Sequence, residues 1–210
     1  MKKLLLSTFF IFGIILPLSA HPHIMLTTDL KFEFSGKICN GVWVEWGFDR
    51  FFSSMIIQDY DADSNGIFSD GEIQDIHDHA FINLKRYGYF VSFRTGNKRK
   101  SPEEAEKFSA RQKDGQLFYK FFIPLGSSYG SNFYFSIFDP TYYCAVKYTD
   151  KPVVIKQNTG PVPLFKLAEN KKYPVYYNPY GASDDTATYT KWKPGLETAY
   201  PKEVHIFFEK

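Results

Sequence analysis

Leu26-Thr27-Thr28-Asp29-Leu30-Lys31-Phe32-Glu33-Phe34 and, eight residues on, Val42-Trp43-Val44-Glu45-Trp46 set apolar against polar or aromatic residues in alternation; from Asp49 the period changes. Alternation sends successive side chains to opposite faces of an extended chain, so one face can enter a core. With Ser35-Gly36-Lys37 as the turn, the two stretches read as paired antiparallel strands. Beyond Asp49 the apolar residues are Phe52, Met55, Ile56 and Tyr60, at the three- and four-residue steps of an amphipathic helix. A polar loop follows. A second helix is predicted from about Gly71 to Tyr87, with Ile73, Ile76, Ala80, Phe81, Leu84 and Tyr87 as its stripe.

After Gly88 the chain returns to short strands: Tyr89–Arg94, Lys107–Gln112, Leu117–Pro124, Asn132–Phe138, Tyr143–Tyr148, Val153–Gln157 and, at the end, Val204–Phe208. Turn sequences such as Asp114-Gly115, Asp139-Pro140 and Asp150-Lys151-Pro152 separate them, a spacing that indicates a sandwich or barrel. Glu169 to Tyr200 carries no clean period and reads as irregular structure. The expected class is α+β. It would be one mainly antiparallel, β-sandwich-like domain over residues 21–210, with an EF-hand helix–loop–helix inserted at about 49–88.

The first twenty residues have another reading. Lys2 and Lys3 precede an apolar run from Leu4 to Leu16, and Ser19-Ala20 closes it with small residues. That is the layout of a secretory signal peptide cleaved after Ala20, with an apolar run too short to span a bilayer. The mature chain would begin at His21 in the periplasm or outside the cell. Its acids and bases then balance, because the whole chain carries 25 Lys+Arg against 23 Asp+Glu and loses Lys2 and Lys3. A neutral balance gives no pointer to nucleic acid or an anionic membrane surface, both of which favour a strongly basic face. Cys39 and Cys144 are the two cysteines, and export makes a disulfide between them the default, with two buried free thiols as the alternative.

The polar loop carries the sharpest motif. Asp61-Ala62-Asp63-Ser64-Asn65-Gly66-Ile67-Phe68-Ser69-Asp70-Gly71-Glu72 matches D-x-[DN]-x-[DN]-G-x5-E at every defined position. Calcium is a hard cation that takes six to eight oxygens. Asp61, Asp63 and Asn65 would supply side-chain oxygens, Ile67 its carbonyl, Ser69 a direct or water-borne oxygen, and Glu72 two more. Gly66 permits the bend, and Phe68 should pack against the helices. A single loop without a partner hand suits weak binding, on the order of 10⁻⁴–10⁻³ M.

His21-Pro22-His23 is the second candidate. A terminal amine and imidazole can chelate one metal together, but Pro22 has no amide proton to give up, which excludes the full tetragonal chelate. The remaining donor set suits zinc, copper or nickel. His77 and His79 lie on different sides of a helix and read as structural or solvated, while His205, in the last strand, is uninformative. No nucleophile elbow, zinc-protease motif or phosphate loop is present, and the expected protein is not an enzyme.

His21-Pro22-His23-Ile24, Trp46-Gly47-Phe48-Asp49, the calcium-type loop, the return at Tyr87–Phe90 and Phe138-Asp139-Pro140-Thr141-Tyr142-Tyr143 occur in an order that resembles the ZevA-like family of periplasmic proteins. The likeness covers roughly residues 21 to 150. It implies a periplasmic accessory to divalent-metal uptake, zinc foremost, beside an inner-membrane permease of the nickel/cobalt type. His21, His23 and Asp139 match the positions from which a transition-metal site would be drawn. Thr27 stands where an acidic residue is common in the family, which bears on metal preference. Two other classes stay open: a copper enzyme built on an N-terminal histidine brace, and a calcium-stabilised interaction domain.

Overall fold

The computed structural model describes residues 23–126, 131–181 and 187–209; the leader expected at residues 1–20 and His21 lie outside them. The chain is α+β, with two sheets, a two-stranded ribbon and three short helices. The two strands read from the opening pattern are β1 (Ile24–Ser35) and β2 (Ile38–Phe48), antiparallel and in register from Leu26↔Phe48 to Ser35↔Ile38, with one register shift at Glu33/Phe34. The alternation does what it promised, since Leu26, Leu30, Phe32 and Phe34 are buried while Asp29 and Lys31 are not.

Asp49 ends β2 and starts helix α1 (Arg50–Tyr60). One carboxylate oxygen accepts the Phe52 amide at 3.0 Å as the helix cap, and the other accepts the Met25 amide at 2.8 Å, so one side chain ties helix to strand. Ser53, fully buried, donates to the Phe48 carbonyl and accepts from the Leu117 amide, fixing α1 against the sheet. Helix α2 (Asp70–His79) is shorter than the stripe suggested. The chain turns at Ala80 and tightens into a 3₁₀ segment, Phe81–Phe90, in which Gly88 and Tyr89 have positive φ. The break delivers Phe81, Tyr89 and Phe90 to the core, where Phe81 meets Phe121 at 5.0 Å and Phe90 stacks on Trp46 at 5.7 Å.

Strands β4 (Glu106–Lys113), β5 (Gln116–Pro124) and β7 (Cys144–Gln157) complete the first sheet in the order β4-β5-β2-β1-β7. The second sheet runs β3-β6-β11-β8, from β3 (Val91–Arg94), β6 (Asn132–Ile137), β11 (Lys202–Phe207) and β8 (Leu164–Glu169). The two share a core: Phe32 of β1 lies 5.3 Å from Phe135 and 6.3 Å from Phe133 of β6. The ribbon is β9 (Val175–Tyr177) with β10 (Glu197–Ala199), inside the stretch expected to be irregular. No helix among the described residues is long and apolar enough to cross a membrane.

Two expectations are corrected. First, β7 pairs with β1 in parallel, from Ile24↔Cys144 to Phe34↔Gln157, so the sheet is mixed. Two expected strands are one, because Asp150-Lys151-Pro152 is carried through an edge strand, where a proline costs no ladder bond. Second, Cys39 and Cys144 are free. Cys39 faces Phe34 and Cys144 faces Ile24, at opposite ends of β1, roughly 33 Å apart at 3.3 Å per residue. A disulfide needs Cα atoms within about 7 Å, so this pair cannot bridge. Burial pushes the Cys39 thiol up to about 12, and Cys144 is raised as well, by burial and then by Asp139, so neither is a ready nucleophile. Thiol titration in denaturant should find two thiols per chain, and a reductant should leave the melting midpoint unchanged; a single loss of both thiols on oxidative export would contradict this.

Candidate metal centre

Between α1 and α2 the backbone of residues 61–69 bends so that its side-chain oxygens turn inward. Gly66 has φ +83°, which no side chain adopts cheaply, and Ser64 is also left-handed. Asp61, only 8 % exposed, accepts the amides of Asn65 and Gly66 and the side-chain amide of Gln112 at 2.7 Å. Asp63 accepts the Asn65 amide and side chain, and Asn65 Oδ1 accepts the Ile67 amide at 2.7 Å. Phe68 is buried, the packing role expected of the eighth position, while Ile67 stays exposed.

Glu72 closes the loop twice. Its Oε1 accepts the Ala62 amide at 2.7 Å, and its Oε2 accepts the Ser69 amide and hydroxyl. Ser69 accepts the Glu72 amide in return, a capping box that starts α2. Hydrogen bonds from Ser69 first, and then from Ala62, hold the Glu72 carboxyl below its ordinary range.

Among the described residues, one group of His, Cys, Asp or Glu side chains can share a cation: Asp61, Asp63 and Glu72, whose ligand atoms lie within 4.8 Å of one another. None of the three is in a salt bridge among the described residues. Three uncompensated carboxylates at that separation repel by about 1 kcal/mol per pair even at the dielectric of water. A divalent cation removes that repulsion, and an all-oxygen donor set suits calcium or magnesium over softer metals.

The second candidate is assembled differently. The His23 amide donates to the Tyr143 carbonyl at 2.9 Å, and the two rings sit 4.8 Å apart. His23 therefore lies beside the Asp139–Tyr143 turn, although more than a hundred residues separate them in sequence. Asp139 is buried, and its oxygens organise that turn. Oδ1 accepts the Thr141 amide and hydroxyl, and Oδ2 accepts the Cys144 amide at 2.9 Å. These bonds give Asp139 a structural task that its motif did not reveal. His77 bonds Asp78 and packs on Phe81 and Phe108, and His79 bonds the Asp75 carbonyl of its own helix.

One functional-looking cluster had no signal in sequence. Arg94 of β3 makes a two-pronged ion pair with Glu203 of β11, at 2.9 and 2.6 Å, both side chains 3 % exposed. Tyr134 and Tyr173 hold the guanidinium between their rings at 3.7 and 3.8 Å, and Arg99 approaches Glu203 at 3.5 Å. Alternation could mark Glu203 as inward-facing, but not its partner.

The family model described as "Protein of unknown function (DUF1007)" matches residues 6–208. A curated relative, the "Uncharacterized 15.5 kDa protein in trpE 3'region" of Spirochaeta aurantia, is 31% identical over 108 residues, covering 50% of this chain and 77% of the relative.

Proposed function

We propose, since the chain belongs to the DUF1007 family of proteins of unknown function, that it is an exported, non-enzymatic protein that handles divalent cations. The helix–loop–helix at about 49–88 is read as an EF-hand insert that takes calcium. The observation that carries this is the convergence of Asp61, Asp63 and Glu72 to within 4.8 Å, in a loop matching all five defined positions of the calcium pattern. Those residues, with Asn65, Ser69 and the Ile67 carbonyl, would hold the ion, which supplies charge neutralisation and fixes the loop between α1 and α2. That role is read as structural, because a single loop without a partner hand suits weak binding, on the order of 10⁻⁴–10⁻³ M.

The finer kinship, to the ZevA-like periplasmic proteins, supports a second, softer metal at the chain start. His21 and His23 would bind zinc foremost and pass it to an inner-membrane permease of the nickel/cobalt type. What supports this reading is the backbone bond from His23 to Tyr143, which brings His23 to the turn built by Asp139. Asp139 would act by shaping the turn that holds Tyr143 beside His23.

Calorimetry on the chain beginning at His21 separates the two sites. Calcium is expected to bind to the loop with a Kd on the order of 10⁻⁴–10⁻³ M, unaffected by changes at the N-terminus. Zinc affinity should fall at least ten-fold when one residue is added ahead of His21, or in His23→Ala. Zinc binding unchanged by both removes the N-terminal site, and failure of calcium to bind removes the loop reading.

A further inference from the structure

Among the described residues the two sheets offer four edges, β4 and β7 of the first and β3 and β8 of the second. An open edge is a row of unpaired backbone donors and acceptors, ready to take another strand unless it is blunted. Three of the four are blunted. The outer side of β3 is covered by Lys100, which exchanges two backbone hydrogen bonds with Phe93 at 2.8 and 2.9 Å. β4 has a register shift between Glu106 and Ser109, where Lys107 is left-handed, and it carries Glu106, Lys107, Arg111 and Lys113. β7 has Asp150-Lys151-Pro152 at a shift in its pairing. β8 has neither bulge nor proline and pairs with β11 in one unbroken register, from Leu164↔Phe207 to Glu169↔Lys202. Its lysine, Lys166, does not guard the edge, because the ammonium is drawn back over the Phe207 ring of β11 at 5.7 Å. Phe165 and Leu167 lie opposite the buried Ile206 and Val204, on the inner face, yet Phe165 is 43 % exposed because the sheet stops there.

We propose that β8 is a self-association edge, where a second copy of this chain adds its own β8 antiparallel and joins the two four-stranded sheets into one. The charges of the strand favour a copy of itself. Two-fold symmetry sets residue i against j and j against i. Residues directly opposite in an antiparallel ladder either both bond across it or both turn away, so the axis passes through one residue and its mate. Two axes keep most of the strand paired. An axis at Lys166 would set two ammonium groups against each other, which is unfavourable. An axis at Leu167 sets Leu167 against its mate, Lys166 against Ala168 and Phe165 against Glu169, so that no like charges meet. It also runs Phe165 and Leu167 of both copies into one apolar row that continues the inner face. A contact this short belongs with the small, weak interfaces below about 1,200 Å². No residue named for either metal reading lies on β8.

Sedimentation equilibrium of the chain beginning at His21, from about 10 μM to about 1 mM, should show a monomer–dimer equilibrium. Phe165→Glu should weaken it by about ten-fold or more, because the new carboxylate meets Glu169 of the mate at two symmetric places. Adding Glu169→Lys should restore association. Within one chain those two positions are about 13 Å apart along the strand, so the rescue reports contact between copies. Oxidation of Leu167→Cys should give a covalent dimer, since its Cα meets its mate's at about 4.5–5.5 Å, whereas Ala168→Cys should not. Cys39 and Cys144 are buried and do not compete. A chain still monomeric at about 1 mM, a dimer indifferent to Phe165→Glu, or equal cross-linking at positions 167 and 168 would overturn the proposal.

Discussion

Glu203→Ala is expected to lower the unfolding free energy by about 3–5 kcal/mol, the cost of stripping one partner from a buried ion pair. The size follows from what stays behind. Arg94 would keep only the Gly96 carbonyl, at 2.7 Å, and the two tyrosine faces, with its charge buried and unpaired. Arg99 would lose its nearest carboxylate at the same time. For a chain of this length each kcal/mol moves the midpoint by about 2–4 °C, so the loss should be visible as roughly 6–20 °C. Replacing both partners, Arg94→Met with Glu203→Leu, should cost much less, because no charge is left without a partner. Thermal unfolding of the single and double variants decides it. A single-variant loss below about 1 kcal/mol would mean that solvent reaches the pair and screens it.

Calcium at the proposed Asp61–Glu72 site is expected to give the other large effect. At 10 mM calcium and a Kd on the order of 10⁻⁴–10⁻³ M, binding adds about 1.4–2.7 kcal/mol to the folded state. The midpoint should rise by roughly 3–10 °C, and magnesium should give less because it demands a tighter octahedron. Asp63→Ala is the informative variant. Asp63 is exposed and, among the described residues, its hydrogen bonds are to Asn65 in its own loop, so without calcium the variant should melt within about 0.5 kcal/mol of the unaltered chain. With calcium it should lose most of the rise. Asp61→Ala is less clean, because Asp61 also receives Gln112 from β4 and would destabilise the chain with or without the ion. Calcium-independent melting of the unaltered chain would refute the reading.

Much of this was legible in the residues, and the losses have physical causes. Alternation named β1 and β2 because each has one buried face, and period four named α1 because Phe52 and Ile56 pack on the core cluster. The same stripe ran too far in α2, since Phe81 and Leu84 fit a helix and a 3₁₀ segment equally well. The break depends on Ala80 and the left-handed Gly88 and Tyr89, which carry no apolar signal. Strand β8 was passed over because Leu164–Glu169 has almost no buried side chain to betray a face. Periodicity also says nothing about partners, so neither the parallel mate of β1 nor the separation of Cys39 from Cys144 could be read. At the candidate sites, local spacing sufficed to mark Asp61, Asp63 and Glu72, whose ligand atoms come together. The hydrogen bonds of Asp139 and the Arg94–Glu203 pair were hidden, because they join segments distant in sequence.

The parallel mating of β1 and β7 has a consequence in time. β1 sits inside its sheet, yet one of its two edges waits for residues 144–157 before it is covered. A ribosome extends a chain at about 5–20 residues per second, so that edge stays open for several seconds after β1 emerges. Contacts of such long range also close slowly once they are possible. Until residues 144–157 arrive, that open edge is the part of the first sheet free to take another strand.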